Sequence, residues 1–450
     1  MQRPQSIALS AFSLLAAFLI LSENVHAAPL CGLVPPTTTA AVVVPTGAPS
    51  GLPASANGTA GDVVATGWYA GWLGATQPPS QISWTKYSAV TFAFATTTPD
   101  SSQIALDTQS ADLLPEFVSA AHDNGVDALL SVGGWTGSLY YSTAVATADN
   151  RTAFVKAVVG LVTQYGLDGI DFDWEYPNHQ GIGCNTIAPD DSANFLLFLQ
   201  QLRQDPVAAN ITLTAAVGQT PFAGPDGTPT ADVSAFATVL NHIAVMNYDV
   251  WGSWSPTVGP NAPLDDSCSP VQAGSATSAL KAWTGAGFPA AQIVLGVPAY
   301  GHSFFVDNSV AFNGTNNLAL YPPFVASKQP LGDSDVPGAG NSTDQCGNSV
   351  GPGGTFDFYS LITAGFLNST GQAAPGIDYV FDTCSQTPFV YNSTSEVMIS
   401  FDDATSFAAK GKFIADNDMA GFAVWHVGGD SGDILLDAIS GSMGLEQICS

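Results

Sequence analysis

The sequence predicts a (β/α)8 barrel with a small α+β insertion between its seventh and eighth strands. Three observations predict it: eight short, nearly continuous apolar runs recur from residue 63 onward, helix-like stretches separate them, and one interval between runs is far longer than the rest. Strands that are apolar on both faces and alternate with helices belong to parallel sheets covered on both sides. Eight such units close into a barrel.

The first element is a leader. Arg3 precedes an apolar run from Ile7 to Leu21, and Val25-His26-Ala27 has the small-residue pattern of a cleavage site. This predicts a secretory signal over residues 1–27 and an extracellular protein, either free or associated with the cell wall. The run is shorter than the ~20 apolar residues a spanning helix needs, so no membrane association is expected. Residues 28–62 are rich in Pro, Thr, Ala and Gly without a sustained period, which reads either as a flexible, O-glycosylated segment or as a plain tail.

The barrel unit is expected over 63–450. Its eight strands are read at "VVATGWYAGW" (63–72), "AVTFAFA" (89–95), "DALLSVGG" (127–134), "DGIDFDWE" (168–175), "ITLTAAV" (211–217), "HIAVMNYD" (242–249), "QIVLGVPAY" (292–300) and "AGFAVWHV" (420–427). Helices are read at "DLLPEFVSAAHDNG", "NRTAFVKAVVGLVTQYG", "DSANFLLFLQQLRQD" and "ATSALKAWTGAG", three of them ending at a Gly suited to a helix C-terminus. The stretch from about 302 to 392 is too long for a bare loop in a compact domain and predicts the insertion, on the C-terminal face of the barrel.

Charge narrows the function. Lys and Arg total 9 against 37 Asp and Glu, for a formal charge of -28. That field repels phosphate backbones and anionic lipid, so nucleic acid is excluded as a partner. Export makes Cys31, Cys184, Cys268, Cys346, Cys384 and Cys449 disulfide formers. Proximity and chain ends suggest Cys184 with Cys268, Cys346 with Cys384, and Cys31 with Cys449. Sequons start at Asn57, Asn150, Asn210, Asn313, Asn341, Asn368 and Asn392, and glycosylation of several is expected. His26, His122, His179, His242, His302 and His426 show no metal-site pairing, so neither metal nor cofactor is expected.

The fourth strand carries the chemistry. Side chains alternate along a strand, so Asp171, Asp173 and Glu175 share one face while Ile170, Phe172 and Trp174 share the other. Three carboxylates rising up a barrel interior cannot all stay ionised; a proton is shared and the pKa values spread. A raised-pKa Glu at the C-terminal rim is what protonation of a glycosidic oxygen requires. A Ca²⁺ loop also spaces its acids, but it needs a Gly turn and polar flanks.

The spacing Asp168, Asp171, Asp173, Glu175 resembles the signature of glycoside hydrolase family 18 chitinases. Four further segments match in order: "SVGGW" (Ser131 to Trp135), "MNYD" (Met246 to Asp249), "GVPAYG" (Gly296 to Gly301) and "GFAVWHVGGD" with Trp425. The resemblance spans about 63 to 440, and "WGSWSPTVGPNAPL" is similar to fungal members. It implies a secreted, monomeric chitinase, with chitin and N-acetylglucosamine oligomers as partners and retention of the β configuration. Glu175 would be the proton donor and the substrate's acetamido oxygen the nucleophile. Asp173 would orient that group, Asp171 would share a proton with Asp173, and Tyr248 would bond the acetamido carbonyl.

Trp425 would form the apolar floor of the sugar site. Tyr69, Phe94, Trp135, Tyr176 and Trp251 would stand around it, Met246 would pack beneath, Asp249 would bond a sugar hydroxyl, and Gly133, Gly134 and Asn247 would also be substrate-binding positions. Ser131 is either a partner of the acids or a satisfied core hydroxyl. Many members carry Arg where this chain has His302, which leaves a contact to Asp249 open. A chitin-binding lectin and an endo-β-N-acetylglucosaminidase acting on N-glycan cores are the rival readings, and the acidic composition suggests a low pH optimum.

Overall fold

The computed structural model describes residues 31–34, 63–314, 317–333, 335 and 342–449. The leader, the 28–62 segment apart from Cys31–Val34, and the sequons at Asn57 and Asn341 lie outside the described residues. Eight parallel strands form the barrel: β1 (Val64–Ala70), β2 (Ala89–Thr97), β3 (Asp127–Gly133), β4 (Gly169–Asp173), β5 (Thr212–Val217), β6 (His242–Val245), β7 (Ile293–Pro298) and β8 (Gly421–Trp425). Each pairs with the next, and β8 pairs with β1, so the sheet closes on itself. All eight predicted runs are strands of the barrel.

The strands divide their bulk unevenly. Phe92, Leu130, Ile170, Phe172, Leu213, Leu295 and Phe422 point outward and are buried beneath the helices. The interior cluster instead holds Ala93, Ala216, Ala244 and Ala423 beside Trp68. Small interior side chains leave room for the acids of β4 and for a ligand above them.

Helices α1 (Thr108–Asp123), α2 (Ala148–Tyr165), α3 (Asp191–Arg203), α4 (Ala276–Gly285), α5 (Ala404–Asp416) and α6 (Ile434–Ser442) cover the outside. Their starts are written in polar side chains. Asp107 accepts from the Ser110 amide before α1, and Ser275 with Ser278 and Asp403 with Ser406 form capping boxes before α4 and α5. Gly166 ends α2 with φ at 68°, a conformation that favours glycine.

The insertion is a five-stranded antiparallel sheet, in the order Thr355–Asp357, Tyr300–Phe305, Val397–Ser400, Thr387–Asn392, Asp378–Asp382. It reaches past the expected end at 392, because Thr387–Asn392 turns back into Val397–Ser400 as a hairpin. The disulfides differ from the expected pairs. Cys184 bonds Cys346 and Cys268 bonds Cys384, with Cα separations of 5.5 and 6.4 Å. Nearness in sequence misled, since the insertion carries both of its cysteines to barrel loops. The strand Cys31–Val34 lies antiparallel to Glu446–Cys449 with Cys31 opposite Cys449, while their side chains are outside the described ones.

Candidate active site

Register places the acids. Ser131, Asp171 and Thr214 lie side by side on β3, β4 and β5, and Gly133, Asp173 and Ala216 form the next inward row toward the C-terminal rim. The lower row is a closed hydrogen-bond set. Asp171 Oδ2 accepts from Trp68 Nε1 at 3.0 Å and from Ser131 Oγ at 2.8 Å, and its Oδ1 accepts from Thr214 Oγ1 at 2.6 Å. Burial raises the Asp171 pKa, and these three donors oppose the rise. Ser131 is thus a partner of the acids.

Asp173 stands above with no such support. Its Oδ1 is buried without a partner, and burial, reinforced by the charges of Glu175 and Asp171, pushes its pKa well above the carboxylate range. Glu175 follows at the rim, only 8% exposed. Burial lifts its pKa to about 7, Asp249 adds to the rise, and the Tyr176 hydroxyl, bonded to the carboxylate, opposes it. The row therefore grades from a fully hydrogen-bonded carboxylate to a Glu that holds a proton near neutrality.

The backbone at Glu175 is pinned on both sides. Its amide donates to Ser138 Oγ at 3.0 Å, and its carbonyl accepts from Asn185 Nδ2 at 2.7 Å. Gly133 has φ at 112°, and a Cβ there would lie 2.0 Å from the Asp173 carbonyl oxygen. Only glycine lets β3 pass this close to the acids. A Cβ on Gly134 would press on the Phe94 ring.

On the other side of the opening, Tyr248 is half-buried, its hydroxyl kept protonated by burial and by the charges of Asp173, Asp249 and Glu175. Its ring meets Tyr300 edge to face at 6.1 Å. Asp249 Oδ1 accepts from Tyr300 Oη and His302 Nε2, both at 2.7 Å. His302 thus makes the contact to Asp249 that its replacement of Arg had left open.

The aromatic wall gathers on β8, β1 and β2. Trp425 stacks on Phe94 with ring centroids 5.6 Å apart, and Trp72 stacks on Phe94 at 6.2 Å. Trp135 stands at the rim beyond Gly134, 51% exposed. Met246 packs in the interior cluster below. Three expected residues lie elsewhere. Tyr69 is buried on the outer face, stacked on Phe117, with its hydroxyl on the Gln77 carbonyl; alternation on β1 turns its neighbour Trp68 inward instead. Asn247 is fully buried and braces loops through Gln219 and the Pro263 carbonyl. Trp251 is buried against Tyr321 and offers no open face.

Sequence reasoning missed Trp68, Thr214, Tyr300, Trp72 and Trp254. Trp254 is 60% exposed with its ring against His302. Trp68 is set facing inward by its register with β8, where it pairs with Trp425, and Trp72 lies just past the end of β1.

A family model described as "Glycosyl hydrolases family 18" matches residues 65–430. The chain belongs to that family. Among family 18 relatives, a chitinase-like effector of Moniliophthora perniciosa is 48% identical over 408 residues, covering 90% of this chain and 92% of that protein. Chitinase A1 of Niallia circulans is 30% identical over 329 residues, covering 70% of this chain and 42% of that protein. The crystal structure of a chitinase from Rhizomucor miehei superposes with a TM-score of 0.74 at 31% identity, covering 84% of this chain and 99% of that one.

Proposed function

We propose that this family 18 protein is a secreted chitinase that cleaves β-1,4 bonds between N-acetylglucosamine units with retention of configuration. The observation that carries the reading is the graded row, with a protonated Glu175 at the rim above a buried Asp173 that has an unpartnered oxygen. Glu175 gives its proton to the glycosidic oxygen as the C–O bond breaks. The acetamido carbonyl oxygen of the same sugar attacks the anomeric carbon, forming an oxazolinium ion.

Asp173 accepts the acetamido N–H with its free oxygen and, as its proton passes to Asp171, becomes the anion that offsets the positive charge. Tyr248 donates to the acetamido carbonyl and fixes its line of attack. Water then opens the ring from the face the leaving group left, returning its proton to Glu175. Trp425 supports the apolar face of the sugar. Export rests on the leader-like residues 1–27.

A second reading has one observation in its favour: relatives 48% identical carry the name chitinase-like effector, a name that leaves hydrolysis open. In that reading the site binds the oligomer without cutting it. Incubating a soluble N-acetylglucosamine oligomer with the protein, beside Glu175→Gln, and following product anomers by NMR separates the two. Release of β-anomers, slowed by ~10²-fold or more in the variant, supports the hydrolase. Binding without products from the unmodified protein supports the binder.

A further inference from the structure

The insertion leaves the barrel after β7 and returns before β8, yet one of its hairpins is fastened to loops that follow β3 and β4. In a closed ring of eight strands these positions are opposite one another. The hairpin pairs Ser342–Thr343 with Ser349–Val350, and Asp344 tightens its turn by accepting from the amides of Cys346 and Asn348. At the far rim, Gln345 Nε2 donates to the Thr136 carbonyl at 2.6 Å, next to Trp135, and Cys346 is bonded to Cys184. At the near end, the amides of Gly353 and Gly354 donate to Asp335, and Thr355–Asp357 joins the insertion sheet.

We infer that this hairpin is a covalently fixed bridge from rim to rim, so that a linear N-acetylglucosamine chain reaches Glu175 by threading an end beneath it rather than by entering sideways. The inference rests on the proposed chitin reading. A lid that opens needs one free end, and among the described residues this one is tied at both: Cys268–Cys384 ties the insertion to the loop after β6, and Cys184–Cys346 ties the hairpin to the loop after β4. The anchor is also next to the chemistry. Asn185, beside Cys184, is the residue that holds the Glu175 carbonyl. Cys184, Cys346 and Gln345 then set which polymer geometries the site accepts.

The test uses the full chain carrying Glu175→Gln, which prevents cleavage, and an N-acetylglucosamine oligomer long enough to keep its ends clear of the protein. The oligomer is offered free, or coupled at both ends to a bulky protein, and binding is read by calorimetry. A groove-type lectin that binds both forms controls for the caps. Binding of the free oligomer with loss of binding of the capped one is the expected result, and adding Cys184→Ser with Cys346→Ser restores the capped one. Equal binding of both forms overturns the bridge and leaves the chitin reading standing. Failure of the serine variant to admit the capped oligomer, if that variant folds, also overturns it. Absence of binding to either form removes the chitin reading and the bridge together.

Discussion

The interior of β4 and the rim of the barrel are built on different terms. Along β4, Asp171 and Asp173 have fixed places in a row of backbone-paired strands, and Asp171 has three protein donors of its own. Glu175, just past the strand, is pinned through its backbone by Ser138 and Asn185. At the rim, Trp72, Trp135 and Trp254 stand more than half exposed, and what holds the loops is disulfides and single hydrogen bonds. Chemistry is thus placed where the backbone cannot shift, and breadth of contact where it can.

That contrast predicts that changes among the acids alter both reaction and stability, while changes of the exposed rim tryptophans alter binding alone. The largest effect belongs to Glu175→Gln. Hydrolysis falls by at least ~10²-fold, whereas stability rises with pH relative to the unmodified protein. Burial lifts the Glu175 pKa from 4.5 to about 7, so its neutral form is favoured in the native state. The native advantage is whole below the unfolded value and is lost as pH climbs from 4.5 through about 7. At one unit per ~1.4 kcal/mol the ionised Glu costs roughly 3 kcal/mol above that window. Chemical denaturation of both proteins at acid and alkaline pH measures it; a variant no more stable than its parent at alkaline pH would show that the row is not strained by its acid.

Thr214→Val comes next. It strips a donor from a fully buried carboxylate, and a loss of ~1–3 kcal/mol is expected at neutral pH. Losing the donor raises the Asp171 pKa further, so the penalty shrinks as pH falls and Asp171 takes a proton. A midpoint in urea unchanged from the parent at neutral pH would mean that the lower row is slack.

The rate itself sharpens the comparison. The donor must be protonated, so kcat/KM should decline as pH rises through about 7, the value that burial gives Glu175. A rate flat well into the alkaline range sinks the assignment of Glu175 as the acid. Trp254→Ala is the smallest change, expected to shift stability by less than about 0.5 kcal/mol and oligomer affinity by about 1 kcal/mol. Calorimetric unfolding and titration read the two, and a folding defect would place Trp254 with the core.

What was legible in the sequence follows the same division. On β4 the phase of the strand could be read, because Asp and Glu alternate with Ile, Phe and Trp and only one face suits a carboxylate cluster. On β1 it could not: Trp68 and Tyr69 are both aromatic, and the choice between them is made by pairing with β8, where Trp68 meets Trp425. Tyr69 went to the helix layer, its hydroxyl bonded to the Gln77 carbonyl. The disulfides were illegible for a related reason. Cys184 and Cys346 are 162 residues apart and meet only because the insertion arrives at the far loops. Asn247 and Trp251 sit inside a matching motif or just after it, and motif position did not reveal that their side chains turn into the wall.

The burial of Glu175 also has a bearing on descent. Glu and Gln codons differ by a single base, and the exchange relieves the native state of a charge it holds at a cost. In a lineage where selection for cleavage relaxes, the step from cutting a sugar chain to merely gripping it is therefore both short and thermodynamically downhill at neutral pH. Glu at this position is thus held against a stability gradient that grows as pH rises through about 7.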